Sequence, residues 1–367
     1  MIPVSDCQRQ CETLRPEIDA AIAAVLDRGR FVLGENVEAF ERAWAAYCGT
    51  KHCVGVGSGI DALVLGLKAV GVGPSDQVLV PGNVVYGALA VRLCGAEVVL
   101  VDVDENTALM DLDAAEAAIT PRAKAIVPTH LYGRMQDMQV LARLAEANGL
   151  VIVEDACQAH GASRSGRKAG TWSHVGCFSF YPSKNLGAFG EAGAVVTDDA
   201  DLAESVRLLR NYGQRERFRS DAIGTNSRLD ELQAVVLCAK LGHLDRWNDQ
   251  RRRISAAYHA RLSALTHVRC FQGPPGADHA CHLFVVRCDR RDDLRAFLSQ
   301  RGVATQVHYP IPVHLQPAFA GLCQGVGSFP TAEQLCAEVV SLPLFPELSA
   351  EEIESVVAAV EAFEVAS

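Results

Sequence analysis

The 367-residue chain carries 34 lysines and arginines against 44 aspartates and glutamates, a net charge of 34 − 44 = −10, with 49% hydrophobic and 21% charged residues. This is the balance of an ordinary folded protein long enough for two domains, and it argues against a nucleic-acid backbone as the main partner. No apolar run reaches bilayer length and the start, MIPVSDCQRQ, lacks a basic-then-apolar signal pattern, so the expectation is a cytoplasmic chain with no membrane partner.

The 13 cysteines form no CxxC pair and no Cys/His cluster at zinc-ligand spacing, which points to free thiols and no metal. The first predicted element is a helix, LRPEIDAAIAAVLDRG, with Leu14, Ile18, Ile22 and Val25 on one stripe and a stop at Gly29. A second helix, NVEAFERAWAAYCG, follows, and HCVGVGSGIDALVLGLKAVG then reads as strand, glycine turn and apolar helix. QVLVPG, EVVLVDV, AIVPTH, LVIVEDA, VGCFSFY and GAVVT are short Val/Ile-rich strands alternating with amphipathic segments such as LARLAEANG. Such alternation predicts an α/β fold, a mainly parallel sheet covered by helices on both faces.

From Asp230 to about Tyr258 the periodicity is helical throughout and predicts a connection between domains. Within it, Arg251-Arg252-Arg253 reads as a solvated helix face. HLFVVRC, DDLRAFLSQRG and VATQVHYPIP then predict a smaller α+β domain, with HYPIPVHLQP as a proline-ordered loop of the kind that carries function. The expected division is a large domain over 1–245 and a small one over 246–367.

Three pieces carry chemistry. In GVGSG (Gly55 to Gly59), glycines allow close backbone approach and the helix N-terminus offers unpaired N–H groups to an anion, although many such turns bind nothing. It is neither a P-loop nor a dinucleotide fingerprint. LVIVEDACQAHGA ends a strand in Glu154-Asp155, where an acid serves as metal ligand, ribose acceptor, helix cap or partner of a cationic ring. FSFYPSKNLGAFGEAGAVV places Lys184 at a strand–loop junction after Ser179 and Ser183, where desolvation disfavours the ammonium and frees a nucleophilic amine. Together, in this order, they describe a pyridoxal phosphate (PLP) site: a lysine for the cofactor aldehyde, a cradle for the phosphate and an aspartate for the pyridinium nitrogen.

With GSGIDAL, HLYGRMQDM, EDACQAHGA, FSFYPSKNLGAFGEAGAVV, RNYGQRERF, NSRLDELQA and HYPIPVHLQPAF in sequence, the whole chain resembles the DegT/DnrJ/EryC1/StrS sugar aminotransferases, PLP enzymes of fold type I (the aspartate aminotransferase fold). The resemblance implies that Lys184 is the Schiff-base lysine and proton carrier, that Asp155 meets the pyridine nitrogen and that Gln158 lies near the ring. It implies that Ser179 and the backbone around Ser58, Gly59 and Ile60 hold the phosphate. Asn226 matches the residue that reaches the phosphate from a neighbouring subunit, implying a homodimer with shared sites. Tyr181, Arg217, His308 and Tyr309 match positions near the sugar nucleotide.

Three departures from the family pattern stand out. Ile60 replaces a usual threonine, Cys157 replaces an alanine in EDAAQ, and PGNVVYGALA replaces a segment like PANTFIATAL. The ring-stacking aromatic of that segment falls on Val85, and Tyr86 supplies a ring only if the loop shifts by one residue. Because Lys184 is kept where the deoxygenating subgroup carries histidine, the resemblance implies transamination. The expected donor is L-glutamate, the acceptor a dTDP-type 3-keto-6-deoxyhexose, and the cofactor cycles through pyridoxamine phosphate. A ketocyclitol or other keto substrate, a PLP-dependent dehydration and a catalytically silent PLP-binding partner are the alternatives.

Overall fold

The computed structural model describes residues 1–273, 276–322 and 325–366. Helix α1 (Cys7–Arg28) is capped by Asp6, whose carboxylate accepts from the N–H groups of Gln8 and Arg9, and it stops at Gly29 with φ 69°. The cap lets it start earlier than the hydrophobic stripe alone indicates. Helix α2 (Glu35–Cys48) ends the same way at Gly49, φ 83°. In both, a left-handed residue closes the last turn without steric cost only if it is glycine.

A seven-stranded sheet follows. Its strands are β1 (His52–Val56), β2 (Gln77–Pro81), β3 (Glu97–Val101), β4 (Ala123–Ile126), β5 (Val151–Asp155), β6 (Val175–Ser179) and β7 (Gly193–Thr197). Their order is β1-β7-β6-β5-β4-β2-β3, and β7 alone runs against the rest, pairing antiparallel with β1 and β6. Helices α3 (Gly59–Ala69) and α4 (Val85–Leu93) follow β1 and β2. One apolar cluster joins α3 and α4 to one face of the sheet, and a second joins α2 to the other. With both faces covered, parallel β2 and antiparallel β7 are alike buried at every position.

Strand alternation then fixes which side chains reach a ligand. Phe178 and Phe180 point into the cluster with Phe40 and Trp44; Trp44 meets Phe178 edge-on at 5.0 Å and Phe180 at 5.3 Å between ring centres. Ser179, between them, faces the other way. Each such edge-to-face pair contributes about 0.5–1.5 kcal/mol beyond burial, so this aromatic clamp sets the register of β6.

The helical stretch from Asp230 is two helices, α5 (Glu231–Leu241) and α6 (Leu244–Leu262), broken at Gly242-His243. Beyond them, β8 (Arg269–Cys270), β9 (Phe284–Arg287) and β10 (Val339–Leu342) form a three-stranded antiparallel sheet with its own apolar cluster. The arginine run on α6 is not a solvated face throughout. Arg251 is buried, donating to the carbonyls of His282 (3.1 Å) and Leu344 (2.9 Å), and burial lowers its pKa to about 10. Helical geometry explains this: of three consecutive residues only one lies on the packed stripe. All 12 cysteines among the described residues are unpaired thiols. Among those residues, no helix is long and apolar enough to cross a membrane.

Candidate active site

A cavity of about 660 Å³ opens at the carboxyl ends of β1, β2, β4, β5 and β6, where ligands of parallel sheets collect. Ser58 caps α3 by accepting from the N–H of Asp61 at 3.2 Å. The N–H groups of Gly59 and Ile60, at the first turn of this helix, have no acceptor among the described residues and so remain open donors. A Cβ at Gly59 would lie 2.5 Å from Ser179 Cβ and 3.1 Å from Cys157 Sγ, so only glycine lets α3 approach the ends of β5 and β6. Gly193 is needed for the same reason, since a Cβ there would strike the carbonyl of Ser58.

Asp155, 3% exposed, ends β5. Its carboxylate accepts from Thr129 Oγ1 at 3.3 Å and from the N–H of Cys157 at 3.1 Å, which aims it into the cavity. The preceding Glu154 points to the other face. There it accepts from His130 Nε2 (2.9 Å), Ser173 Oγ (2.7 Å) and the N–H groups of Gly170 and Trp172 (both 2.7 Å). Of the two acids, only Asp155 is available to a ligand.

Lys184 lies on the turn after β6, its N–H donating to the carbonyl of Tyr181 at 2.8 Å. Its side chain is half-buried and lines the cavity, and among the described residues its ammonium has no hydrogen bond or ion pair. Burial pushes the amine below its ordinary pKa, outweighing the opposing pull of Asp155 and Glu191. An amine so placed is neutral more often than a surface lysine, so its lone pair is available to attack a carbonyl or to accept a proton from carbon.

Gln158 is fixed at both ends, accepting from the N–H of Tyr132 at 2.7 Å and donating to the Tyr309 hydroxyl at 3.1 Å. Tyr132 in turn donates to the carbonyl of His308. The loop carrying His308 and Tyr309 is thus tied to the large sheet. The structure brings Ser58, Gly59, Ile60, Asp155, Gln158, Ser179, Tyr181, Lys184, His308 and Tyr309 to one cavity.

Val85 does not line it. Val84 caps α4, so Val85 packs into the apolar cluster behind the helix while Tyr86 turns to the cavity and meets Tyr309 edge-on at 5.7 Å. Consecutive residues at a helix start point about 100° apart, so Tyr86 and not Val85 faces the cavity. Asn226 and Arg217 also lie outside the cavity of their own chain. Asn226 is exposed and Arg217 lines a separate surface recess with Tyr212, Phe218 and Arg228. Thr129, Glu191, His282 and Leu283 line the cavity without having been singled out in the sequence. Thr129 had a signal, its place at the end of a predicted parallel strand; His282 and Leu283 come from the far side of the chain and had none.

The profile of the DegT/DnrJ/EryC1/StrS aminotransferase family matches residues 12–361. The chain belongs to this family. A dTDP-3-amino-3,4,6-trideoxy-alpha-D-glucose transaminase of Streptomyces venezuelae is 50% identical over 348 residues, 95% of this chain and 92% of the relative. A dTDP-3-amino-3,6-dideoxy-alpha-D-galactopyranose transaminase of Aneurinibacillus thermoaerophilus is 43% identical, covering 98% of this chain and 99% of its own. Among solved structures, S. venezuelae DesV in complex with a ketimine intermediate superposes with a TM-score of 0.97 at 49% identity, over 99% of this chain and 98% of that one. NtdA of Bacillus subtilis with bound cofactor PMP gives 0.89 at 30% identity, over 96% and 82%. The DegT/DnrJ/EryC1/StrS chains are PLP-dependent aminotransferases of fold type I, the class that the resemblance of the sequence motifs implied.

Proposed function

We propose that this aminotransferase uses PLP to move an amino group from L-glutamate to a dTDP-linked 3-keto-6-deoxyhexose in aminosugar biosynthesis. The observation that carries the reading is Lys184, an amine without an internal partner, depressed by burial and set in one cavity with Asp155 and an open anion cradle. The residues fit PLP. The open N–H groups of Gly59 and Ile60 with the Ser179 hydroxyl suit a phosphate, and the Gly59 approach leaves no room for a side chain there. The Asp155 carboxylate suits a protonated ring nitrogen. When bound, PLP supplies the electron sink that lets a carbon–hydrogen bond ionise, and it carries the amino group between the two substrates.

The chain's own groups do the rest. Lys184 Nζ takes the proton from the donor carbon and returns it to the sugar carbon. Thr129 and the Cys157 N–H hold the Asp155 carboxylate in its aim, and Tyr132 and Tyr309 do the same for the Gln158 amide. Tyr86, rather than Val85, would face the cofactor ring. Tyr181, His308 and Tyr309 would position the sugar and keep water from the reacting carbon.

The names of the S. venezuelae and A. thermoaerophilus relatives support a dTDP-linked 3-aminosugar as the product. Under the same reading the working unit is a homodimer in which Asn226 and Arg217 complete the neighbour's cavity. Residues 1–245 would form the PLP-binding domain and 246–367 the small one. The test is mass spectrometry of PLP-loaded protein with 15N-glutamate and a panel of dTDP-ketohexoses and ketocyclitols. A dTDP-aminohexose carrying 15N is expected; a labelled aminocyclitol, or a dehydrated sugar without nitrogen, would replace the reading.

A further inference from the structure

His282 lines the same cavity yet has no part in the roles above. It is 6% exposed and held on every side. Its N–H donates to the carbonyl of Tyr132 at 3.0 Å, and its carbonyl accepts from buried Arg251 at 3.1 Å. The residue before it, Cys281, adopts φ 46°, the left-handed region that side chains other than glycine rarely enter. Backbone held in such a conformation marks a position the fold has fixed.

The ring is fixed as well, through a relay that begins on two backbone carbonyls. Carbonyls only accept, so the Asn248 amide must turn its nitrogen to the carbonyl of His160 (2.8 Å), leaving its oxygen toward Asn185. Asn185 therefore turns its own nitrogen that way, donating to Asn248 Oδ1 (2.8 Å) and to the carbonyl of Ala280 (2.7 Å). Both of its amide hydrogens are then used. Its oxygen faces His282 Nδ1 at 3.0 Å, and that oxygen can only accept. Nδ1 must carry the hydrogen. In a neutral imidazole the other nitrogen is then a bare acceptor, and among the described residues Nε2 of His282 has no hydrogen bond. Burial, and after it the positive charges of Lys184 and Arg251, hold the ring pKa well below its ordinary value, so the ring is neutral at working pH.

We infer that His282 is locked as the Nδ1–H tautomer and presents Nε2 as a fixed hydrogen-bond acceptor to a hydroxyl of the sugar beside Lys184. The ligand named here rests on the sugar reading above; the tautomer does not. His308 in the same cavity offers no such fixed polarity, since its Nδ1 faces the hydroxyl of Ser341 at 2.8 Å, which both donates and accepts. A carboxylate facing Nε2 would meet a lone pair, so His282 favours a hydroxyl-bearing ligand over an acidic one at that spot.

Two measurements test this separately. Long-range 1H–15N spectra of the 15N-histidine-labelled holoenzyme, with His282 assigned by its loss in His282→Gln, are expected to show Nδ1–H with bare Nε2 from pH 8 to about 5.5. Asn185→Leu, which removes the oxygen facing Nδ1, is expected to let the Nε2–H form appear. An Nε2–H ring or an imidazolium in the native protein, or no response to Asn185→Leu, would overturn the locked tautomer.

Calorimetric titration with a dTDP-3-amino-3,6-dideoxyhexose and with dTDP alone addresses the ligand. His282→Leu is expected to bind the aminosugar about 3- to 10-fold more weakly and dTDP unchanged, with His282→Gln restoring part of the loss. Equal aminosugar affinity in all three proteins would overturn the contact. A native protein that binds dTDP and the aminosugar alike would overturn the sugar reading and the ligand assigned to His282, while leaving the tautomer to the spectra.

Discussion

The floor and the wall of this cavity are built by different means. The floor, formed by Asp155, Ser179, Lys184 and the start of α3, sits at strand ends whose alternation, glycine approach and aromatic clamp leave one arrangement. The wall, formed by Tyr86, Tyr181, His308 and Tyr309, comes from a helix start and loops, and it keeps Tyr86 45% and Tyr181 49% exposed. A floor specified by backbone geometry holds the group common to all reactions of a family. A wall borrowed from distant segments can be altered one residue at a time without disturbing that chemistry, and this is where the chain departs most from the family pattern.

The sharpest way to break this contrast is at Lys184. Lys184→Ala removes both the covalent anchor and the proton carrier, and glutamate turnover followed by stopped-flow absorbance should fall by 10²–10⁴-fold or more; residual turnover near the native rate would mean that the floor is elsewhere. Asp155→Ala comes next. Losing a charge-assisted contact of about 1.5–3 kcal/mol should weaken PLP binding about 10- to 100-fold in titrations of the apoprotein.

The wall should respond less. Tyr86→Ala is expected to lower PLP affinity about 2- to 10-fold, the worth of about 0.5–1.5 kcal/mol of aromatic contact, while Val85→Ala leaves it unchanged. The reverse ranking would restore Val85 as the ring-facing position.

A separate effect, on stability rather than on PLP affinity, joins floor and wall through acid. Burial lowers the pKa of His160, which donates from Nε2 to the Ser179 carbonyl at 2.8 Å, to about 3, and that of His308 to about 4. A histidine whose folded pKa lies below its unfolded value contributes fully above about pH 6.5 and loses that contribution as pH falls toward the folded value. From His160 alone, urea unfolding at pH 5 should give about 2 kcal/mol less stability than at pH 7. Unchanged stability would mean that His160 is protonated in the native state.

Most of the floor was legible in the sequence because its logic is local. A Val-rich run ending in an acid, a glycine turn before an apolar helix, and a lysine after a small-residue strand end each state their own geometry. Val85 against Tyr86 was not, because one residue of helix phase decides which side chain faces inward, and that phase is set by Val84 as the cap. Arg251 misled for a similar reason: its neighbours are solvated, but the packed stripe of α6 passes through it. His282 was invisible, since its role depends on Asn185, Asn248 and two carbonyls brought together only by folding. Asn226 and Arg217 were singled out through family likeness alone; in the folded chain they stand away from the cavity.

Whether the cavity around Lys184 is the PLP site is decided by borohydride reduction of the PLP-loaded protein followed by peptide mapping. A single pyridoxyl group is expected on the peptide carrying Lys184, absent in Lys184→Ala. Label on another lysine, or none on a protein that still transfers the amino group, would contradict it.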